Sequence, residues 1–195
     1  MTVDSRAAID SINSNAHLIP TNMFAVGGYI SSESSFRWST DLWAKFPDSY
    51  HIRINTFGEP DRGNCLDVEF EAATPANVEP WIRTRGPVCE DPLLVYCNRS
   101  NLNACVSARD AAHKATGHYA FIWCATLDGT LTDRSMTQIC QVKTASGAQF
   151  GDLSIILDQR LISKMAARIG KQLYWNPEYL ENWEPRLPHE YLLHK

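Results

Sequence analysis

Short apolar segments that alternate with helix-like segments constrain the fold of this chain more than any other feature of its sequence. Seven such segments, each bounded by turn residues, have the length and the β-branched or aromatic content of buried strands. They cover residues 23–30, 51–57, 65–70, 93–98, 120–126, 138–142 and 153–157. Strands that alternate with helices predict a mainly parallel α/β sheet, which either stays open and doubly wound or closes into a barrel.

Two of the intervening segments carry the start and stop signals of helices. In residues 74–86, Thr74 is a predicted N-cap, Pro75 takes the first helical position and Gly86 ends the helix. Residues 100–117 begin at a serine and end at a glycine in the same manner, with apolar residues at helical spacing. A length of 195 residues with 44% hydrophobic content is enough for one domain with a sizeable core.

The balance of charged and apolar residues argues against two classes of partner. A formal net charge of −4 gives no electrostatic attraction to nucleic acid or to an anionic membrane surface. The N-terminal residues lack the basic and apolar regions of a secretory signal, and no apolar run is long enough to span a bilayer, so cytoplasmic synthesis is expected. The six cysteines are scattered without a CxxC pair, which favours reduced, buried thiols over disulfides or a zinc site.

The C-terminal segment differs in composition from the rest of the chain. Residues 171–195 contain three prolines, two tryptophans and three tyrosines, which is too interrupted for a long helix and too aromatic for a solvated tail. We therefore predict a domain over residues 1–170 and a C-terminal arm over residues 171–195. The arm either packs across the surface of its own domain or docks onto another chain, because aromatic residues are enriched in interfaces.

Two carboxylates lie two residues apart within the strand-like segment 65–70. Alternate side chains of a strand share a face, so Asp67 and Glu69 point to the same side. Each ionised group raises the pKa of the other, and such a pair can supply both the acid and the ionised carboxylate of glycosidic cleavage. The same pair can also be a strand end that is solvated or neutralised by Arg53 or Arg62. The spacing alone leaves both interpretations open.

The order of several motifs along the chain resembles that of the glycoside hydrolase family 25 lysozymes. The LDVE of residues 66–69 is similar to their Asp-x-Glu strand motif, and the AID that ends at Asp10 is similar to their first strand. Three later segments are also similar to family segments, in the family's order. VYCNRSNLNA is similar to IYTSxSxW, FIWCATLDG is similar to LWIAxY, and CQVKTASGAQFGDLSII is similar to the closing segment. The last segment puts Asp152 at the terminal aspartate of the family.

A short actinobacterial and actinophage branch of this family shares further positions with the chain. The shared positions are Ile52 to Ile54, Thr74, Pro75, Pro80, Trp81 and Arg85. Together the matches extend over roughly residues 8 to 158.

The resemblance implies a modified (β/α) TIM-like barrel, with carboxylates gathered at the carboxyl ends of the strands. It also implies cleavage of the bond between N-acetylmuramic acid and N-acetylglucosamine in peptidoglycan, without a metal or another cofactor. At the matching positions, Glu69 is the proton donor. Asp67 and Asp152 stabilise the oxocarbenium-like state or orient the acetamido group of the substrate, and Asp10 completes the acidic floor.

Tyr96, Trp123 and Gln141 are the predicted substrate-binding residues, although a tryptophan on a strand is more often part of a core. Two positions depart from the family. Leu127 stands where many members carry a tyrosine at the sugar subsite, and Val142 stands where an aromatic residue follows the glutamine. Weaker sugar stacking predicts altered specificity, or lost activity with the fold retained.

Two functions therefore follow from the sequence. The first is a phage-encoded, N-acetylmuramidase-like hydrolase that acts on peptidoglycan. The second is a catalytically degenerate barrel that serves as a minor capsid, decoration or tail protein and binds other virion proteins through residues 171–195. Without a signal peptide, either protein is expected in a virion or is released at host lysis.

Overall fold

One sheet of nine strands organises the described residues of the computed structural model. The structure describes residues 7–12, 14–31, 36–59, 62–144, 146–147, 149–170 and 191–194. The strands are β1 (Ala7–Asp10), β2 (Ala25–Tyr29), β3 (Tyr50–Asn55), β4 (Cys65–Val68), β5 (Leu93–Asn98), β6 (Ala120–Ala125), β7 (Met136–Thr144), β8 (Gln149–Ile156) and β9 (Tyr191–His194). The helices are α1 (Thr40–Trp43), α2 (Pro75–Arg85), α3 (Leu102–Thr116) and α4 (Gln159–Arg168), with a short 3-10 turn over Ala16–Leu18.

Strands β1 to β8 close into a barrel. Strands β1 to β7 lie side by side in chain order, and each pair of neighbours is parallel. Strand β8 pairs antiparallel with β7 on one side and with β1 on the other, which joins the two edges of the sheet. The predicted α/β barrel is therefore confirmed, and the open doubly wound sheet is not what the chain forms.

Side chains alternate between the barrel interior and its outer face. In β4, Cys65 belongs to the interior core, whereas Leu66 and Val68 pack outward in a cluster with α2 and α3. A second outer cluster covers β1, β2, β7 and β8 and includes Trp38 and Phe46. This alternation places every second residue of a strand inside the barrel, except at the bulge of β7, where Ile139 and Cys140 both pack in the outer cluster.

Helix α4 fills the end of the barrel where the parallel strands begin. Four of its side chains are buried: Leu161, Ile162, Met165 and Ala166. They belong to the same core cluster as Trp123 from the barrel interior. Asp158 caps the helix, because its carboxylate accepts a hydrogen bond from the backbone N–H of Arg160 at 2.9 Å. The sequence analysis does not predict this helix.

The two predicted helices form with nearly the predicted ends. Helix α2 has Thr74 as its N-cap and Gly86 as its C-cap, as predicted. Helix α3 ends at Gly117, which has a φ of +76° and therefore favours glycine. Its N-cap is Asn101, one residue later than the predicted start at Ser100.

The glycine pair of β2 lets two neighbours approach the strand closely. A Cβ atom on Gly27 would lie 2.6 Å from the Cβ of Asp10, and one on Gly28 would overlap the ring of Trp38. Any side chain at Gly27 would therefore displace the carboxylate at the end of β1.

The cysteines are in the state expected from the sequence. All six cysteines are free thiols, and all but Cys89 are buried. No helix in the described part of the chain combines the length and apolar character needed to cross a bilayer.

The predicted C-terminal arm is described only at its last strand. Residues 171–190 and residue 195 lie outside the described residues. Strand β9 pairs antiparallel with the second half of β7, with His194 opposite Gln141 in register. The division at residue 170 and both interpretations of the arm stay predictions.

We expect Leu161→Ala to destabilise the barrel through the base of its core. Leu161 is fully buried, and its truncation should lower the free energy of unfolding by about 2–4 kcal/mol because a cavity remains. The control is Lys164→Ala on the exposed face of α4, which should change the free energy of unfolding by less than about 0.5 kcal/mol. Chemical denaturation measures both, and equal effects would contradict the role of α4 as a plug.

Candidate active site

Strand β4 and the turn after it hold the Asp67 and Glu69 pair. Asp67 is the third of the four β4 residues, and Glu69 follows the last one, so both continue the interior face that begins at Cys65. The chain then turns sharply, and the carbonyl of Asp67 accepts a hydrogen bond from the N–H of Ala73 at 3.1 Å. The pair therefore lies at the carboxyl end of the parallel strands, where barrel active sites lie.

Asp10 and Asp152 come together on the two strands that close the barrel. Asp10 is the last residue of β1, and the antiparallel register with β8 places it directly opposite Asp152. On its other side, Asp152 lies opposite Gln141 of β7. Directly opposed residues of an antiparallel pair share a face of the sheet, so the register groups these three side chains.

Burial raises the pKa values of all four carboxyl groups, and repulsion from neighbouring carboxylates raises those of Asp10, Asp67 and Asp152 further. The pKa of Asp67, which is only 4% exposed, is raised to about 7 by burial and then by the charge of Glu69. Burial and the charge of Glu69 raise the pKa of Asp152 to about 6, against a hydrogen bond from Gln149 that lowers it. Burial also raises the pKa of Glu69 and, together with repulsion from Asp152 and Asp67, raises that of Asp10 well above its usual range.

Gln138 connects Asp10 to Tyr96. The amide Nε2 of Gln138 donates to the two carboxylate oxygens of Asp10 at 3.2 and 3.4 Å. The hydroxyl of Tyr96 donates to Oε1 of Gln138 at 2.7 Å. The same hydroxyl lowers the pKa of Glu69, against the burial that raises it. Tyr96 thus lies within the predicted site, whereas the sequence analysis does not identify Gln138.

Tyr29 at the end of β2 lies among the same carboxylates. Burial raises its pKa, and the charges of Asp67, Asp10, Glu69 and Asp152 raise it further, in that order. A phenol surrounded by four acids keeps its proton and can donate a hydrogen bond. Tyr29 is not among the predicted site residues, because an aromatic residue at the end of an apolar strand resembles a core residue.

A cavity of about 190 Å³ opens beside this cluster. Asp10, Tyr29, Gln149 and Asp152 are among the residues that line it. A larger cavity of about 320 Å³ lies where the parallel strands begin and is lined by three arginines, each of which already pairs with an aspartate. The cavity at the carboxylates is therefore the better candidate for a site of chemistry.

Trp123 does not line the cleft, contrary to the sequence prediction. It is 1% exposed, and its indole N–H donates to the hydroxyl of Ser154 inside the barrel at 3.0 Å. Its ring packs edge-on against Tyr96 with 4.8 Å between the ring centroids. Trp123 therefore belongs to the core and supports Tyr96, because its position inside β6 puts it below the end of the strand.

The arginines that could have neutralised the Asp67 and Glu69 pair have other partners. Arg53 pairs with Asp91 at 3.6 Å, and Arg62 pairs with Glu59 at 3.2 Å. The alternative interpretation of the pair as an arginine-neutralised strand end therefore finds no support in these contacts. Within the described residues, no group of three or more His, Cys, Asp or Glu side chains is arranged to hold a metal ion.

Comparison with known proteins identifies the fold. No family model matches the amino-acid sequence, and no curated protein matches it significantly. The muramidase from Acremonium alcalophilum is similar in structure with a TM-score of 0.52 at 11% identity, over 83% of this chain and 99% of that chain.

Two further solved structures share the barrel. The virulence factor GHIP, a glycosyl hydrolase 25 of Streptococcus pneumoniae, gives a TM-score of 0.51 at 11% identity, over 86% of this chain and 94% of that chain. The catalytic domain of endolysin ply40 from bacteriophage P40 of Listeria monocytogenes gives a TM-score of 0.51 at 11% identity, over 85% of this chain and 97% of that chain. The chain therefore has the barrel fold of glycosyl hydrolase 25 and muramidase structures.

We expect Asp67→Asn to stabilise the protein at neutral pH. Because folding raises the pKa of Asp67 to about 7, its contribution to stability is complete below about pH 4 and is lost as the pH rises toward 7. The variant cannot ionise there, so its free energy of unfolding should rise relative to wild type across that range, on the order of 2–4 kcal/mol.

Denaturation at a series of pH values tests this prediction. The matched control is Asp128→Asn, whose exposed carboxylate has a pKa lowered by hydrogen bonds from Thr130. As the pH rises, the free energy of unfolding of Asp128→Asn relative to wild type should change in the opposite direction to that of Asp67→Asn, and by a smaller amount. A constant difference between Asp67→Asn and wild type from pH 4 to 7 would contradict the raised pKa.

Proposed function

We propose that this protein is a peptidoglycan-directed glycoside hydrolase of the N-acetylmuramidase type. The observation that carries the proposal is the convergence of Asp10, Asp67, Glu69 and Asp152, with raised pKa values, at the carboxyl ends of the barrel strands. Glycosidic cleavage needs one carboxyl group that is protonated and another that is ionised near neutral pH. The shared fold with muramidase and endolysin structures supports peptidoglycan as the substrate.

Glu69 is the proton donor in this proposal. It lies beyond the end of β4, it is partly exposed, and its pKa is raised by burial, so it can hold a proton and still reach a leaving group. The hydroxyl of Tyr96 acts in the opposite direction and lowers the pKa of Glu69, which favours the ionised carboxylate once the proton has been donated.

Asp67 is suited to orient the acetamido group of the sugar. Its Oδ1 atom is buried and has no hydrogen-bond partner within the described part of the chain. A buried carboxylate oxygen without a partner is costly, and an N–H group from the substrate would satisfy it. Binding of that N–H would favour the ionised form of Asp67 and place negative charge near the anomeric carbon.

Asp152 supplies further negative charge on the opposite wall, with Asp10 directly opposite it in register. The pKa of Asp152, about 6, leaves it mostly ionised at neutral pH, where it can stabilise the positive charge of an oxocarbenium-like state. Gln141, which lies opposite Asp152 in register and is partly exposed, remains a predicted substrate-binding residue.

Glycan release from purified actinobacterial peptidoglycan tests this proposal. Wild type should produce new reducing-end muramic acid fragments by mass spectrometry, and Glu69→Gln should lower the rate by at least about 10²-fold because the proton donor is lost. The control is Glu71→Gln, which removes an exposed carboxylate two residues further on and should leave the rate unchanged.

Two outcomes would overturn the proposal. One is a Glu69→Gln variant as active as wild type. The other is a folded wild-type protein that releases no fragments from any peptidoglycan tested. The second outcome would favour the alternative, a barrel retained as a virion structural protein.

A further inference from the structure

Large apolar side chains are exposed around the mouth of the barrel rather than evenly over its surface. Four of them lie in the loops that follow β2, β3, β4 and β6, and we call them the apolar rim: Phe36, Phe57, Phe70 and Leu127. Only two other large apolar side chains of the described residues are exposed, namely Val88 after α2 and Leu131 further along the connection to β7. Single exposed apolar residues need no explanation, but four at one opening indicate a binding surface.

Phe70 is the most exposed member of the apolar rim. It is 90% exposed, whereas the other three members are between 44% and 48% exposed. It also follows Glu69, the proton donor of the proposed reaction, directly in the chain. A ring with so little buried surface adds little to the stability of the barrel, so its surface is available to a ligand.

A tight turn holds Phe70 at the mouth. The N–H of Ala72 donates to the carbonyl of Glu69 at 3.2 Å, which closes a β-turn with Phe70 at its second position. Glu71 at the third position has a φ of +62°, which a type II turn requires and which glycine adopts more easily. Glu71 and Leu127 are the only non-glycine residues with a positive φ in the described part of the chain, and both lie in loops at the mouth. Backbone strain that is retained at one end of a fold points to a function there.

Two further hydrogen bonds tie this turn to the barrel. The N–H of Ala73 donates to the carbonyl of Asp67 at 3.1 Å, and the side-chain amide of Asn101 donates to the carbonyl of Val68 at 3.2 Å. The backbone on both sides of Phe70 is therefore fixed to β4 and to the start of α3 before a ligand arrives. A ligand that binds Phe70 does not have to order this backbone, which lowers the free-energy cost of binding.

The chemistry of the mouth fits the two kinds of surface on a pyranose sugar. The faces of a pyranose carry C–H groups that pack on an aromatic ring, and its edges carry hydroxyl and amide groups that donate to carboxylates. The apolar rim and the carboxylate cluster lie at the same end of the barrel, so the mouth offers both kinds of contact. The same carboxylates and the net charge of −4 disfavour an anionic lipid surface or a nucleic acid.

We propose that Phe70 is a substrate-binding residue that stacks on the sugar at the leaving-group side of the scissile bond, which is N-acetylglucosamine in the proposed reaction. The inference rests on the proposed function, because the position of Phe70 next to the proton donor is what places it on the leaving-group side. Leu127 in the loop after β6 has no ring to stack, so the aromatic surface of the apolar rim comes from the loops after β2, β3 and β4.

Titration with the tetramer of N-acetylglucosamine tests this contact in the Glu69→Gln variant, which prevents cleavage. With carbon-13-labelled phenylalanine, the ring signal that is absent in Phe70→Ala should shift when the tetramer binds. Adding Phe70→Ala should weaken binding by about tenfold, whereas adding Phe70→Trp should preserve it. The matched control is Val88→Ala, which removes an exposed apolar side chain away from the mouth and should leave the affinity unchanged.

Three results would overturn the inference. The first is a Glu69→Gln protein that does not bind the tetramer, and the second is equal affinity with and without Phe70→Ala. The third is co-sedimentation with phosphatidylcholine vesicles that depends on Phe70 and is not displaced by the tetramer, which would assign the apolar rim to a lipid surface.

These results are separate from the test of glycan cleavage. Tetramer binding that depends on Phe70, in a protein whose wild type releases no muramic acid fragments, overturns the proposed function alone. An active wild type whose Glu69→Gln form binds the tetramer equally well without the Phe70 ring overturns the stacking contact alone.

Discussion

The antiparallel pairing of β8 with β1 is the constraint on which the rest of this structure depends. It joins the edges of a parallel sheet, and the same register sets Asp152 opposite Asp10. Because β8 runs against the other strands, its first residues lie at the mouth of the barrel and its end leads into α4 at the base. One strand therefore closes the sheet, supplies a carboxylate and positions the helix that fills the core.

The carboxylate cluster works against folding, and the surrounding packing compensates for it. Four acids lie together at one end of a barrel, and burial is the main cause that raises the pKa of each. No salt bridge to an arginine or lysine is found for them within the described residues. Interior clusters and the α4 plug supply the apolar burial that holds these groups together.

Sequence patterns predicted the parts of the fold that depend on local signals. The segment 93–98 forms β5 over the same residues, and Thr74 and Gly86 cap α2 as expected, because these features depend on apolar runs and cap chemistry. Helix α4 was missed although the sequence carries its signals, since Asp158 caps its start and its buried residues Leu161, Ile162, Met165 and Ala166 recur at helical spacing.

The candidate site was predictable in part for the same reason. Asp67 and Glu69 stand out because two acids interrupt an apolar strand, whereas Asp10 and Asp152 came only from the resemblance to a family. Gln138 was missed because a single amide in a strand has no local signature. Trp123 was assigned to the cleft because the sequence does not show how far below the end of a strand a residue will lie.

The plug at the base has a consequence for how water reaches the carboxyl groups. Within the described residues, α4 and the interior core fill the end of the barrel opposite these groups, so water and substrate approach them from the mouth. A polymer that lies across the mouth would occupy the route that water also uses. In the proposed hydrolase, the water that cleavage consumes would therefore have to enter beside the bound glycan or be held in the site before the glycan binds.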